Sequence, residues 1–216
     1  MKLPDGFDLE AGALIGVASV SYHDAKRSRV SEGDNAIVFG DGPIGQFAAQ
    51  AARVLGATVT LVGHHDDRLQ VAKDTGIQNT FNNSGDVDGE MLKENAPYPV
   101  VFECSGADVL DQIIGVSGTP GLIGRKTGAR VVMVAGRFDV TFNFNAAGAA
   151  EVDILHTTHF VQDDLEELVG HVSRDEIKIR PLIKDVVPLK DAVSVFNTFR
   201  DNKSALFGTV FKVGAD

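Results

Sequence analysis

The chain has 216 residues, of which 44% are hydrophobic and 23% charged, so it can bury one core, or one core with a small appendage. Its net charge of −10 argues against binding to nucleic acid or to an anionic membrane surface. Its single cysteine, Cys104, excludes an internal disulfide and a cysteine-rich zinc module, and no stretch is typical of a signal peptide or a membrane span, so we expect a cytoplasmic protein.

The chain begins with a predicted helix over residues 8–26, which the Asp8 carboxylate can cap. Short apolar runs then alternate with helical stretches. The predicted strands cover residues 36–39, 58–62, 79–81, 100–104, 131–135 and 152–155. The predicted helices between them cover residues 44–55, 66–73 and 107–114, with Asp66 as the cap of the second.

Strands that alternate with helices indicate βαβ units and a parallel sheet covered on both faces. Six strands with a glycine-rich turn after the first fit the doubly wound order 3-2-1-4-5-6 of a Rossmann fold, and the fold class is therefore α/β. Two more helices and a strand then form a short α+β C-terminal tail. The predicted units are an N-terminal segment and helix (1–34), a Rossmann dinucleotide-binding domain (35–160) and the tail (161–216).

The first predicted strand runs directly into the sequence G-D-G-P-I-G that begins at Gly40. In a dinucleotide-binding fold, Gly40 allows the tight turn, Gly42 lets the backbone approach a pyrophosphate, and Gly45 lets the helix pack on the strand. Pro43 and Ile44 begin the helix, whose free N–H groups would face the phosphates. A glycine turn of another α/β fold is the alternative, but the strands and the helix around the motif favour a dinucleotide site.

The residue that follows the second strand helps to decide between NAD(H) and NADP(H). Folds that prefer NAD(H) usually place Asp or Glu there to bind both ribose hydroxyls, whereas this chain has Gly63. His64, His65 and Arg68 follow and could bind a 2′-phosphate. The sequence therefore favours NADP(H) over NAD(H), although His64 and His65 would also fit a solvated loop.

Three other patterns carry less weight. Tyr22 and Lys26 have the Y-x-x-x-K spacing of short-chain dehydrogenases, but they precede the glycine loop, so we interpret the match as a coincidence. His156 and His159 would point to opposite faces of an extended strand, so no shared metal is expected there. The acidic stretch around Asp163 fits a solvated helix start. The sequence therefore indicates no metal site and no catalytic acid or base.

Several longer pieces stand in a fixed order along the chain. They are residues 3–6 with 11–23, the strand and glycine loop over 32–45, V-F-E-C-S-G at 101–106, residues 128–135, and residues 181–183 with 187–192. Together they resemble the coenzyme domain and C-terminal tail of the medium-chain dehydrogenases/reductases, the zinc-type alcohol dehydrogenase superfamily. The resemblance extends over nearly the whole chain.

The resemblance implies two further loops that would line the cofactor. Their residues are Cys104, Ser105 and Gly106 after the fourth strand, and Val134, Ala135 and Gly136 after the fifth. Gly63 and Arg68 would lie at the adenosine ribose. Cys104 would equally fit its position as a small buried side chain without any role in binding.

Members of this superfamily begin with a catalytic domain, which we expect to be absent here, so that the tail at 161–216 would pack on a missing domain. One zinc ligand of the superfamily should fall near Ile15 or Gly16, and neither residue can bind a metal. We therefore expect no zinc and name no catalytic residue. In the superfamily the edge strand, here 152–155, pairs with its two-fold mate, which implies a homodimer.

The expected function is the NAD(P)-binding portion of an alcohol dehydrogenase-like oxidoreductase. It would transfer hydride between NADP(H) and a small alcohol, carbonyl or enone substrate, and the isolated chain need not be active. The alternative is a dinucleotide-binding module without chemistry, acting as a sensor or as a partner subunit.

Overall fold

Helices and strands alternate through the computed structural model, which describes residues 1–84, 90–116, 118–202, 204 and 207–214. The strands are β1 (Asn35–Phe39), β2 (Thr58–Gly63), β3 (Asn79–Asn82), β4 (Val100–Glu103), β5 (Gly115–Val116), β6 (Thr119–Pro120), β7 (Arg130–Met133), β8 (Asp153–His156), β9 (Asp185–Pro188) and β10 (Thr209–Lys212). The α-helices are α1 (Leu9–Gly12), α2 (Ile15–Arg27), α3 (Pro43–Val54), α4 (Asp66–Asp74), α5 (Glu90–Glu94), α6 (Leu110–Ile114), α7 (Phe144–Ala150), α8 (Gln162–Ser173) and α9 (Ala192–Asp201).

The central sheet has the order β3-β2-β1-β4-β7-β8, and each neighbouring pair is parallel. Once the short β5–β6 hairpin is set aside, this is the predicted order 3-2-1-4-5-6. The six predicted strands and the α/β Rossmann fold class are confirmed. The strand order reverses between β1 and β4, and in open α/β sheets this is the point where ligands bind, outside the carboxyl ends of the strands.

Buried side chains form two clusters, one on each face of the sheet. In β1, Ala36 and Val38 pack into one cluster, while Ile37 and Phe39 pack into the other. This alternation follows from the two-residue period of a strand, and it explains why a fully buried strand is apolar at consecutive positions. Helices α2 and α3 cover the first face, and α6 and α7 cover the second.

Three predicted helices differ in detail. The helix predicted over 8–26 is two helices, because Leu14 leaves helical geometry with ψ near 0°; Asp8 does cap the first of them through the N–H groups of Glu10 and Ala11. Asp66 is wrong as a cap, since it is already helical and its carboxylate accepts from Asn82, while His65 occupies the cap position. The helix predicted over 107–114 is shorter in the structure, where α6 begins only at Leu110.

Several short elements lie outside the sequence prediction. They are α5, α7, the β5–β6 hairpin and strand β9, which pairs in parallel with β10. Strand β9 has two exposed residues followed by two half-exposed ones, so it lacks the apolar alternation by which a buried strand is found from sequence.

One part of the tail packs on the Rossmann core, and another part, helix α9, is largely exposed. Leu168, Ile179 and Leu182 are buried in the cluster formed by α2 and α3. By contrast, α9 has no buried residue, and its Val193 and Phe196 are 73% and 63% exposed. No helix in the described ranges is long and apolar enough to cross a membrane.

Candidate functional site

A cleft of about 260 Å³ opens at the carboxyl edge of the sheet, at the switch between β1 and β4. It is lined by Phe39, Gly40, Asp41, Gly42, Val62, Gly63, His64, Arg68, Asn83, Cys104, Ser105, Ala107 and Val109. Residues that end β1 and β2 and residues that follow β1, β2, β3 and β4 therefore meet there, although they are far apart in the sequence.

The glycine loop leaves its backbone accessible to the cleft. Gly40 has a φ of +113°, which suits glycine, and a Cβ there would lie 3.0 Å from the backbone of Cys104 and Ser105. A Cβ at Gly45 would lie 1.9 Å from the Gly40 carbonyl oxygen, so α3 packs directly on the turn. A Cβ at Gly42, by contrast, would meet no atom within 4 Å.

Helix α3 begins at this loop without a side-chain cap. Gly42 is its N-cap residue and Pro43 its first residue, and no side chain accepts from the first turn. The N–H groups of Ile44 and Gly45 have no partner within the helix because the first turn of any helix leaves its donors free. An anion at this end would receive those hydrogen bonds and the favourable end of the helix dipole.

Asp41, the second residue of the glycine loop, is the main feature that the sequence analysis missed. The residue is 6% exposed, and its side chain turns toward the loop after β2. Its Oδ2 accepts the backbone N–H groups of His64 and His65 at 2.8 and 2.9 Å, and the His65 Nδ1 lies 2.9 Å from the same oxygen. Burial alone would raise the pKa of Asp41, but these hydrogen bonds hold it below its usual value, so the carboxylate is ionised at neutral pH.

Gly63 and Arg68 both face this carboxylate. A Cβ at Gly63 would lie 2.4 Å from the Cβ and Oδ2 of Asp41, so no side chain fits at residue 63. Arg68 is 9% exposed; its guanidinium lies 3.4 Å from Asp41 Oδ1, donates to the Ser204 carbonyl and stacks on the Phe207 ring. Of the three side chains expected at the ribose end, those of His65 and Arg68 therefore face Asp41, and that of His64 does not.

Glu103, at the end of β4, holds the two loops expected at the nicotinamide. It is fully buried, and its Oε1 accepts the N–H groups of Ser105 and Gly106 and the Ser105 hydroxyl. Its Oε2 pairs with Arg137, and its backbone carbonyl accepts the N–H groups of Val134 and Ala135. One residue thus fixes the loop after β4 against the loop after β7.

A third buried carboxylate, Asp24 of α2, lies near Cys104. It is 0% exposed, and within the described residues neither of its oxygens has a hydrogen-bond partner of normal geometry. Burial raises its pKa to about 6, while the Thr157 hydroxyl and the charge of His23 act in the opposite direction. Burial raises the pKa of the half-buried Cys104, and the charge of the nearby Asp24 raises it further. The thiol therefore stays protonated, which suits a residue that lines the cleft and does not suit a nucleophile.

The structure brings many of the predicted residues to the cleft, but not all of them. Those that line it are Gly40, Gly42, Gly63, His64, Arg68, Cys104 and Ser105. Those outside its lining are Pro43, Ile44, Gly45, His65, Gly106, Val134, Ala135 and Gly136. Six residues line it without having been predicted: Phe39, Asp41, Val62, Asn83, Ala107 and Val109. The only sequence signal for them is that they lie at the end of a strand or in the segment that follows one.

The structure gives one of the other patterns a structural role and locates a second. Tyr22 and Lys26 both donate to Glu167, which joins α2 to α8, and burial raises the pKa of Tyr22 to about 12. His156 ends β8, and His159 lies in the turn beyond it. Among the described residues, no group of three or more His, Cys, Asp or Glu side chains could hold a metal ion.

Comparison with known protein families gives one match over most of the chain. Residues 43–174 match the family described as zinc-binding dehydrogenase. The chain is 32% identical to sorbitol dehydrogenase 1 of Saccharomyces cerevisiae over 209 residues, which cover 91% of this chain and 56% of that enzyme. It is 30% identical to 2-dehydro-3-deoxy-L-galactonate 5-dehydrogenase of Pseudoalteromonas atlantica, with 95% and 59% covered. The chain thus spans less than two thirds of the length of these relatives.

Solved structures share the fold. An oxidoreductase/dehydrogenase of unknown specificity from Escherichia coli superposes with a TM-score of 0.87 at 24% identity and covers 99% of this chain, which spans 60% of that one. At these identities the likeness extends to the fold alone.

Proposed function

The chain belongs to the zinc-binding dehydrogenase family, and we propose that it is the coenzyme-binding part of an oxidoreductase acting on a small alcohol or carbonyl compound. The observation that carries the proposal is the uncapped start of α3 behind Gly42, in a cleft at the switch point of the sheet. The relatives are named sorbitol dehydrogenase and 2-dehydro-3-deoxy-L-galactonate 5-dehydrogenase, and these names support an alcohol or carbonyl substrate. When bound, a nicotinamide dinucleotide would supply or accept the hydride.

The residues of this chain would bind and orient that cofactor. The backbone of Gly42, Ile44 and Gly45 would hold the pyrophosphate, and the residues around Gly63 would face the adenosine ribose. The loops that Glu103 fixes would face the nicotinamide. No described residue is assigned to proton transfer with the substrate.

The choice of dinucleotide depends on the charges near Gly63. The NADP(H) preference expected from the sequence relies on His64, His65 and Arg68 to bind a 2′-phosphate, but His65 and Arg68 both face the Asp41 carboxylate. A carboxylate attracts ribose hydroxyls and repels a phosphate. We therefore propose NAD(H) as the preferred cofactor of the chain.

The exposed part of the tail supports a docking role. Val193, Phe196 and Phe199 of α9 are 44 to 73% exposed, and the chain spans 56% of the yeast relative. We propose that this face packs on the catalytic part of a complete enzyme, which would also supply the substrate pocket. The family name refers to zinc, but Ile15 and Gly16, where the resemblance expects a ligand, begin α2 with no metal-binding side chain. We propose that the residues of this chain bind no zinc.

A titration of NADH and NADPH against the purified chain, followed by nicotinamide fluorescence, tests the binding proposal. We expect the chain to bind NADH, and we expect Gly42→Ala to weaken binding by about tenfold or more, because the added methyl group would occupy the path of the pyrophosphate. Gly42 has a φ of −70° and its Cβ position is free, so alanine fits the fold. A chelator should leave binding unchanged.

Gly148→Ala is the matched control for that titration. Gly148 is an exposed helical glycine of α7 whose Cβ would also meet no atom within 4 Å, and it lies outside the lining of the cleft. It should bind NADH as the unaltered chain does. A folded chain that binds neither dinucleotide, or a Gly42→Ala variant that binds as well as the control, would contradict the proposed function.

We also propose a homodimer formed through β8. This strand is the last of the sheet order, so one of its sides has no neighbouring strand within the described chain, and an unpaired edge can pair with the same edge of a second copy. Light scattering at micromolar concentration should give twice the mass of the chain. A strictly monomeric mass would rule the homodimer out.

A further inference from the structure

Asp41 lies where dinucleotide-binding folds usually place a residue from another strand. In a fold that prefers NAD(H), the acid is the residue at the end of the second strand. Here that position is Gly63, and the space next to it is filled by the side chain of Asp41, 2.4 Å from where a Gly63 Cβ would be. The chain therefore has a carboxylate at the usual place, supplied by the glycine loop instead of by β2.

The two oxygens of this carboxylate are engaged to different degrees. Oδ2 accepts two backbone N–H groups and faces the His65 ring, all within 2.9 Å. Oδ1 has only longer contacts, 3.2 Å to His65 Nδ1 and 3.4 Å to Arg68. A carboxylate oxygen has two lone pairs, so Oδ1 retains the capacity to accept a short hydrogen bond from a ligand hydroxyl.

The same carboxylate compensates the cations beside it. Arg68 is nearly buried between Asp41, the Ser204 carbonyl and the Phe207 ring, and it still lines the cleft. His64, which contacts Asp41 through its backbone N–H, is exposed at the same end. If the charge of Asp41 were removed, the groups around Gly63 would form a cationic site suited to a phosphate.

We infer that Asp41 is the residue that sets the dinucleotide specificity of this chain, and this inference rests on the proposed function. Its carboxylate accepts a ribose hydroxyl of NAD(H) and repels the 2′-phosphate of NADP(H). It also keeps Arg68 and His65 paired, so the chain contains a 2′-phosphate subsite that is masked by one side chain.

The test compares Asp41→Asn with the unaltered chain. Asparagine has the same shape, and its amide oxygen can still accept the two loop N–H groups, but it carries no charge. The dissociation constants of NADH and NADPH are measured for both proteins, together with those of 5′-AMP and 2′,5′-ADP, which probe the adenosine end alone. We expect the unaltered chain to bind NADH more tightly than NADPH, and 5′-AMP more tightly than 2′,5′-ADP. In Asp41→Asn the ratio of dissociation constants within each pair should shift by at least about tenfold toward the ligand that has the 2′-phosphate.

Asp67→Asn is the matched control. It removes one negative charge from the first turn of α4, but the Asp67 carboxylate is exposed and pairs with Lys184. It should leave both ratios unchanged. Thermal unfolding is recorded for each protein, and Asp41→Ser is the second neutral variant in case Asp41→Asn does not fold.

The outcomes separate the inference from the proposed function. Tighter binding of NADPH by the unaltered chain, or ratios that stay constant in folded Asp41 variants, would overturn the inference while the dinucleotide site stands. Failure of the folded chain to bind any of the four ligands would overturn the proposed function and the inference with it.

Discussion

Arg137→Met should lower the free energy of unfolding by about 3 to 5 kcal/mol, because it leaves the Glu103 carboxylate buried without its counter-charge. Glu103 is fully buried at the end of β4, and Arg137 is its cationic partner, with a side chain only 16% exposed. The three donors from Ser105 and Gly106 act on Oε1, so Oε2 would lose its partner. Urea unfolding followed by circular dichroism measures the change.

A double variant separates the buried charge from the lost packing. Adding Glu103→Gln to Arg137→Met removes the carboxylate charge and keeps an amide oxygen for the loop N–H groups. This variant should recover at least about 2 kcal/mol of the loss. Arg200→Met, which alters an exposed arginine of α9, should stay within about 1 kcal/mol of the unaltered chain.

The same variants should affect cofactor binding. Glu103 fixes the loop after β4 and, through its carbonyl, the loop after β7, which are the loops expected at the nicotinamide. Arg137→Met should therefore weaken the binding of NADH more than that of 5′-AMP, which does not reach the nicotinamide end.

If the double variant were no more stable than Arg137→Met, lost packing and not the buried charge would be the cause of the destabilisation.

The sheet could be predicted from sequence because its signals are local. Strands β1, β4 and β7 each contain three or four consecutive apolar residues, and the glycine loop stands directly between β1 and α3. The order of the strands then follows from the few topologies that right-handed crossovers allow. Strand β9 has no buried residue along its length, so its sequence contains less of the same information.

The site could be predicted only in part, because its polar contacts join distant residues. The glycine loop identified the cleft, but nothing near Asp41 in the sequence shows that its carboxylate binds the N–H groups of His64 and His65. From the sequence, Gly63 marks a missing carboxylate, whereas the fold has the Asp41 carboxylate from another loop at that point.

Asp24 is a second example of information that only the fold contains. In the sequence it is one polar residue in a helix that also includes Tyr22, His23 and Lys26, so nothing marks it as buried. In the structure it lies on the inner side of α2, near Cys104 and Thr157. Its neighbours His23 and Lys26 instead pair with Asp164 of α8.

Asp24→Asn should stabilise the chain above pH 6 by about 3 kcal/mol, since the pKa of Asp24 is raised by burial from 3.8 to about 6. The folded state favours the protonated acid. The contribution of Asp24 to the free energy of unfolding is therefore complete below pH 3.8, where the acid is protonated in the folded and the unfolded states, and it is lost as the pH rises to 6. Asp41 and Asp164 have lowered pKa values and act in the opposite direction, because the stability that they contribute is lost on acidification.

Urea unfolding between pH 4 and pH 8 tests this sign. The difference between Asp24→Asn and the unaltered chain should be close to zero at pH 4, grow up to pH 6 and stay constant above it. Asp139→Asn, at an exposed position, should show no such trend. A difference that does not change with pH would mean that the Asp24 carboxylate is ionised throughout and has an undetected partner. The partner would compensate the buried charge, and Asp24 would then belong to a structural ion pair and would not lower the free energy of unfolding at neutral pH.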